Sequence, residues 1–124
     1  MFPSLWTDTE SGEGEEYRPR PGVSSISCPK AQKLIASGKC ALIDVREPSE
    51  YAQGYIEGAV NWPLDRISAA SAAQMLPERS KPVVVYCLTG KRAQEAALKL
   101  QALGYRYILN LGGISKWPYA TVHP

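Results

Sequence analysis

The sequence predicts a single α/β domain with a mostly parallel sheet and helices on both faces. Its 124 residues fit one domain and leave no room for two of ordinary size. From residue 23 onward, short apolar runs typical of strands alternate with segments of helical periodicity. Residues 83–86 form a continuous apolar run, the pattern of a strand that is covered on both faces.

The elements follow one another in order, separated by turn residues. Residues 23–27 are a short strand candidate. The side chain at position 27 or 28 can cap a helix that has Pro29 in its first turn and ends at Gly38. A buried strand at 41–45 is followed by a glycine-punctuated loop at 54–58 and a weakly periodic helix at 65–75. The chain then continues with a buried strand at 83–86, a regular helix at 93–103 and a last strand at 107–111.

The net charge of +2 hides an asymmetry between the start of the chain and the remainder. Residues 1–22 are rich in Glu, Gly, Pro and Ser, so we expect a flexible or surface-draped N-terminal arm, followed by the domain at residues 23–124. Residues 1–16 hold five of the 12 acidic side chains and no basic ones. The basic residues elsewhere are scattered, without aromatic interleaving, so no nucleic-acid partner is expected.

Composition argues against several other classes of protein and site. The longest apolar run, residues 83–88, is far shorter than the about 20 residues that cross a bilayer, so no membrane partner is expected. The opening residues do not resemble a secretory signal, which makes the cytoplasm the default location. Three cysteines are too few for a disulfide framework, and we expect Cys28 and Cys40 to be small apolar fillers. The single histidine, His123, reads as a frayed-end residue and leaves no zinc-type cluster.

Cys87 is the strongest candidate for a catalytic nucleophile. It stands at the carboxyl end of the most buried strand, where functional groups of parallel sheets are found. A helix that begins a few residues later directs free N–H groups at this loop, and Lys91 and Arg92 add two cations, which together favour a thiolate. Gly90 lets the backbone turn tightly toward a bound anion. These features outweigh the alternative of a buried cysteine before a solvated basic turn.

Four stretches, in sequence order, resemble motifs of the rhodanese family of sulfurtransferases. Cys87 opens the pattern Cys-x-x-Gly-x-Arg-Ala, which is similar to the family's active-site loop. Residues 42–51 resemble the family's aspartate–arginine segment, and residues 54–61 resemble its Gly-His-Ile-Pro-Gly-Ala motif. Residues 111–117 resemble its Gly-Gly…Trp ending. The resemblance spans about residues 23–118. It implies a rhodanese-like three-layer fold, with a five-stranded parallel sheet flanked by helices.

The resemblance implies a sulfur relay from thiosulfate, or a related donor, to a thiol or cyanide acceptor. The Cys87 thiolate would attack the outer sulfur of the donor, release sulfite and hold the sulfur as a persulfide. The loop amides would cradle that sulfur, and the basic pair favours a small dianionic donor. The implied substrate-binding residues are Leu88, Thr89, Gly90, Lys91, Arg92 and Ala93. No metal or organic cofactor is implied, and a sulfur-acceptor protein is a further partner.

Two other functions remain open at this point. A persulfide carrier or interaction module would be loaded and unloaded by protein partners. A small cysteine phosphatase is less favoured, because four residues separate Cys87 from Arg92 and the phosphatase loop has five. A smaller loop suits one sulfur atom better than a tetrahedral phosphate.

Asp44 and Arg46 are the candidates for a supporting role. They flank Val45 at a strand end, and we expect them to hold loops by ion pairs, with Glu50 as a further partner. The alternative is that they touch the substrate. In either case their position next to a strand end places them near the predicted site.

Overall fold

The computed structural model describes residues 17–124. Residues 1–16, which include the acidic part of the predicted arm, lie outside the described residues. Tyr17 is partly buried and packs against a core cluster, and the Lys30 ammonium lies 5.7 Å from the centre of its ring. None of the helices in the described part is long and apolar enough to span a bilayer.

Five of the strands form one parallel sheet. In chain order the strands are β1 (Gly22–Ser25), β2 (Ala41–Asp44), β3 (Tyr55–Ile56), β4 (Val60–Asn61), β5 (Val83–Cys87), β6 (Tyr107–Gly113) and β7 (Thr121–Val122). The parallel sheet has the order β1-β6-β5-β2-β4, while β3 and β7 pair antiparallel beside it. The predicted α/β class and the five-stranded parallel sheet are therefore confirmed.

Four α-helices complete the described fold: α1 (Cys28–Ser37), α2 (Pro48–Tyr51), α3 (Ala69–Met75) and α4 (Lys91–Ala102). The first helix begins and ends as predicted. The Ser27 hydroxyl accepts a hydrogen bond from the Lys30 N–H at 3.4 Å, and Gly38 ends the helix with a left-handed φ of 74°. Two short 3-10 helices lie at Leu64–Arg66 and Ile114–Lys116.

The central strand β5 is buried along its whole length. Alternate residues of β5 contribute to two apolar clusters, one on each face of the sheet. One cluster contains buried residues of α3 and α4, and the other contains Ala31 and Leu34 of α1. This two-sided burial explains why residues 83–87 are continuously apolar, and it confirms the predicted three layers.

The predicted helix over residues 65–75 is wrong as a single element. The chain forms the 3-10 turn at Leu64–Arg66, becomes extended at Ile67 and starts again as α3. Ser68 causes this restart, because its side chain accepts from the Ser71 N–H while the Ser71 hydroxyl accepts from the Ser68 N–H. The weak apolar periodicity of this segment was the sign of two short elements.

The C-terminal end is paired, so the expectation of a frayed His123 is wrong. Strand β7 pairs with β3, and the two His123 ring nitrogens lie 3.3 Å from the Gln53 carbonyl oxygen and 2.7 Å from the Thr121 hydroxyl. A Cβ atom on Gly54 would lie 2.8 Å from the His123 ring. The end of the chain therefore anchors the segment that leads into β3.

The carboxyl end of β6 passes against the loop that follows β5. A Cβ atom on Gly113 would lie 2.1 Å from the Leu88 carbonyl oxygen, closer than any side chain is accommodated. Gly112 is different, because it has a φ of +95° but open space around its Cβ position. Gly112 thus supplies a backbone conformation, and Gly113 supplies room for the neighbouring loop.

We predict that Gly113→Ala destabilises the fold more than Gly112→Ala. The first variant forces one backbone away from another and costs about 3 kcal/mol, at the upper end of overpacking effects. The second places an L-residue in the left-handed region and costs about 1–2 kcal/mol. Urea unfolding of both variants measures the difference. Equal losses, or a larger loss in Gly112→Ala, would contradict the close approach.

Candidate active site

The Cys87 sulfur receives hydrogen bonds from two backbone N–H groups. Cys87 is the last residue of β5 and is buried. Its Sγ lies 2.9 Å from the Gly90 nitrogen and 3.4 Å from the Ala93 nitrogen, which belongs to the first turn of α4. N–H groups at the start of a helix carry partial positive charge. The arrangement therefore stabilises negative charge on this sulfur.

The loop has this shape because of glycine and a carbonyl anchor. Gly90 caps α4 with a φ of 111°, a conformation that L side chains rarely adopt. Its Cβ position lies 3.5 Å from the Gly112 Cα, so β6 limits the space there. On the other side of the loop, the Leu88 carbonyl accepts from the Ser115 hydroxyl at 3.0 Å. The anchored carbonyl and the positive φ turn the following N–H groups toward the sulfur.

Arg92 forms a two-pronged ion pair with Glu50. Its Nη1 and Nη2 atoms lie 2.6 and 3.0 Å from the two carboxylate oxygens. This guanidinium lowers the pKa of Glu50 to about 2, so the carboxylate is ionised throughout the neutral range. Glu50 also accepts from the Glu47 N–H at 3.0 Å, which closes the first turn of α2. The pair therefore ties the start of α4 to α2.

A second, buried ion pair lies at the carboxyl end of β2, the strand next to β5. The Arg46 Nε and Nη2 atoms donate to the Asp44 carboxylate at 3.0 and 2.7 Å, and both side chains are almost fully buried. Arg46 also donates to the Gly54 carbonyl at 2.7 Å. The Tyr86 hydroxyl, next to Cys87 in the chain, accepts from the Ile56 N–H at 3.1 Å. These bonds fix the segment around β3 against the sheet.

The predicted loop residues divide into three groups. The backbones of Gly90 and Ala93 face the Cys87 sulfur, as the distances above show. Leu88, Thr89 and Lys91 are exposed at the rim, and the Leu88 side chain is 43% exposed. Arg92 is half-buried and occupied by Glu50.

Sequence reasoning missed three contributors to the site. Glu50 pairs with Arg92 and not, as expected, with the Asp44–Arg46 pair. The signal for α2 was present, because Glu47 is followed by proline and, three positions on, by Glu50 in a capping box. The role of Ser115 carries no local signal, since its partner lies 27 positions earlier.

A cavity of about 460 Å³ lies away from Cys87, at the amino ends of β2 and β5. Its lining includes Cys40, Glu78 and Lys81. Burial raises the pKa of the Cys40 thiol from 9.0 to about 11, and the Lys81 charge offsets part of this effect. This thiol therefore stays protonated at neutral pH.

Comparisons with known proteins agree with this geometry. A family model described as "Rhodanese-like domain" matches residues 27–120. The human thiosulfate:glutathione sulfurtransferase is 35% identical over 103 residues, which covers 74% of this chain and 90% of that protein. Thiosulfate sulfurtransferase PspE of Escherichia coli is 36% identical over 72 residues, or 58% of this chain and 68% of that protein. The structure of the human single-domain sulfurtransferase TSTD1 matches with a TM-score of 0.64 and 30% identity, over 75% of this chain and 92% of that one.

We predict that the two ion pairs differ in their contribution to stability. Asp44→Ala leaves the Arg46 guanidinium buried and unpaired, and should lower the free energy of unfolding by about 3–5 kcal/mol. Glu50→Ala leaves a partly exposed Arg92 that water can solvate, and should cost no more than about 1 kcal/mol. Denaturant unfolding of both variants tests this. Losses of the same size would contradict the assignment of the buried pair as the structural one.

We also predict a late titration for Cys40. In a Cys28→Ser, Cys87→Ser variant, the rate of iodoacetamide alkylation of Cys40 should rise with pH and show no plateau up to pH ~10, because the thiolate is the reactive form and burial disfavours it. The same titration of the urea-unfolded variant is the control and should level off earlier. A plateau near pH ~9 in the folded variant would contradict the effect of burial.

Proposed function

Because the chain belongs to the rhodanese-like domain family, we propose that it is a sulfurtransferase that moves a sulfane sulfur from thiosulfate, or a related donor, to a thiol or cyanide acceptor. The observation that carries this proposal is the Cys87 sulfur at the end of β5, with the N–H groups of Gly90 and Ala93 directed at it. The names of the relatives support the reaction class, since two of them are thiosulfate sulfurtransferases.

The proposed reaction has two steps. The Cys87 thiolate attacks the outer sulfur of thiosulfate, a new S–S bond forms, and the donor's S–S bond breaks with its electron pair leaving on sulfite. The enzyme then carries a persulfide whose terminal sulfur is negatively charged. An acceptor thiolate attacks that terminal sulfur and leaves as a persulfide, while cyanide leaves as thiocyanate. Either acceptor returns Cys87 to the thiolate, so the cycle is closed without a redox partner.

The groups around Cys87 suit both steps. The N–H groups of Gly90 and Ala93 lower the energy of the attacking thiolate and of the same thiolate as leaving group in the second step. The remaining amides of the loop, from Leu88 onward, would hold the terminal sulfur of the persulfide, as the family resemblance implies. Exposed Lys91 attracts an anionic donor. Asp44 and Arg46 act as supports for the neighbouring segment.

The acceptor side of the reaction favours a thiol carried by a small molecule or a protein. Leu88 is a large apolar side chain, 43% exposed, directly after the nucleophile. One exposed apolar residue is ordinary on a protein surface, and the thiol acceptor is supported instead by the name of the human relative, a thiosulfate:glutathione sulfurtransferase. The family resemblance adds a sulfur-acceptor protein to the proposal, and the carrier-module alternative differs from it only in lacking free turnover of thiosulfate.

The proposal predicts a covalent intermediate on one cysteine. Incubation with thiosulfate should increase the intact mass of the protein by one sulfur atom, and cyanide should remove it. Cys87→Ser should abolish this gain and the transfer of sulfur to cyanide. Cys28→Ser and Cys40→Ser serve as matched controls and should retain most of the activity, because neither sulfur has the backbone donors of Cys87. A mass gain that survives in Cys87→Ser, or transfer lost in Cys28→Ser instead, would sink the assignment.

A further inference from the structure

Glu50 changes the charge that the active-site loop presents. The sequence places two adjacent cations, Lys91 and Arg92, after Cys87, which by themselves favour a dianionic donor. In the structure both terminal nitrogens of Arg92 are bound to the Glu50 carboxylate. We propose that Glu50 sets the charge selectivity of this site, so that sulfane-sulfur donors of low charge, monoanionic or neutral, are accepted alongside thiosulfate. This inference rests on the proposed sulfurtransferase function.

The first argument is the charge balance at the mouth of the site. Glu50 is ionised at neutral pH, because the Arg92 guanidinium lowers its pKa to about 2. The negative charge of Glu50 therefore offsets the positive charge of Arg92. Together Lys91, Arg92 and Glu50 carry one net positive charge, that of Lys91. Glu47, at the start of α2, adds a further negative charge near Arg92. The field that attracts a dianion is weaker than the loop sequence alone indicates.

The second argument is the hydrogen-bond geometry. Arginine binds planar or tetrahedral oxyanions through two parallel N–H donors, and Glu50 occupies one such pair on Arg92. A sulfonate group is left with the other N–H groups of the guanidinium. The donors on the Cys87 sulfur are backbone amides, which bind a sulfur atom whatever the charge of the rest of the donor. The chemistry at sulfur is thus separate from the selection by charge.

The third argument is the exposure of the pair. The Arg92 and Glu50 side chains are 32% and 29% exposed, whereas the Arg46 and Asp44 side chains are 6% and 0% exposed. An exposed pair contributes little to the stability of the fold. It lies instead where solvent, and therefore a dissolved donor, meets the start of α4. Its position fits a role in choosing the donor better than a role in holding the core.

The test compares two donors of nearly the same shape. Thiosulfate is a dianion, and in methanethiosulfonate a methyl group replaces one charged oxygen, which leaves a monoanion. The measured quantity is the ratio of kcat/KM for thiosulfate to that for methanethiosulfonate. Glu50→Gln should raise this ratio about three- to fivefold, the effect of one unit charge near a protein surface. High salt should reduce the difference.

Three variants make the comparison specific. Glu50→Asp keeps the charge and should leave the ratio near that of the wild type. Glu78→Gln removes the same charge at the cavity by the amino ends of β2 and β5, and should have no effect. Glu50→Ser removes the charge with a smaller side chain, for use if Glu50→Gln does not fold.

Each outcome decides the matter. A higher ratio in Glu50→Gln, with the ratio unchanged in Glu50→Asp and Glu78→Gln, supports the inference. The wild type could use both donors while Glu50→Gln leaves the ratio of the two kcat/KM values unchanged. That result would show that Glu50 only positions Arg92, and it would overturn this inference alone. A wild type that takes sulfur from thiosulfate but not from methanethiosulfonate would overturn this inference alone. A wild type that takes sulfur from neither donor would overturn the proposed function, and this inference with it.

Discussion

The constraint on which the site depends is that two backbone N–H groups must face one buried sulfur. Gly90 and Ala93 meet this requirement only if the loop after β5 turns within three residues and leads directly into α4. The turn needs a glycine at position 90 and a fixed carbonyl at Leu88. It also needs a neighbour without a side chain, which Gly113 provides. Gly113 is therefore part of the support of the candidate site, through the room that it leaves for the loop.

The two ion pairs of the candidate site differ in their roles. Asp44 and Arg46 are buried and hydrogen-bonded to each other, and Arg46 also binds the Gly54 carbonyl, so the pair fixes the segment before β3. Glu50 and Arg92 are partly exposed and lie at the rim. The first pair holds the segment before β3 in place, and we propose that the second sets how much positive charge a sulfur donor meets there. The two roles can be told apart only from the exposed fraction of each side chain and from its bonding partners, and a sequence motif contains neither.

Much of this account was available from the sequence, and the missing part has a common cause. Continuous apolar runs predicted the buried strands, because burial on two faces leaves no polar side, and apolar residues at helical spacing predicted the two main helices. The position of Cys87 followed from the end of the most apolar strand. The errors concern short elements: α2 and β7 were missed, and the break at Ile67 divides a segment that was predicted as one helix. Contacts between distant residues fix much of that detail, as with Glu50 and Arg92, which are 42 positions apart and whose pairing no local pattern encodes.

The central claim, that the backbone donors of Gly90 and Ala93 hold the reacting sulfur, is tested most directly by nuclear magnetic resonance. Two-dimensional ¹H–¹⁵N spectra recorded before and after addition of thiosulfate report on each amide separately. The account predicts that the Gly90 and Ala93 resonances are among those that shift most, that they return when cyanide is added, and that they stay in place in Cys87→Ser. Resonances of Gly90 and Ala93 that do not move while the protein gains a sulfur atom would contradict it.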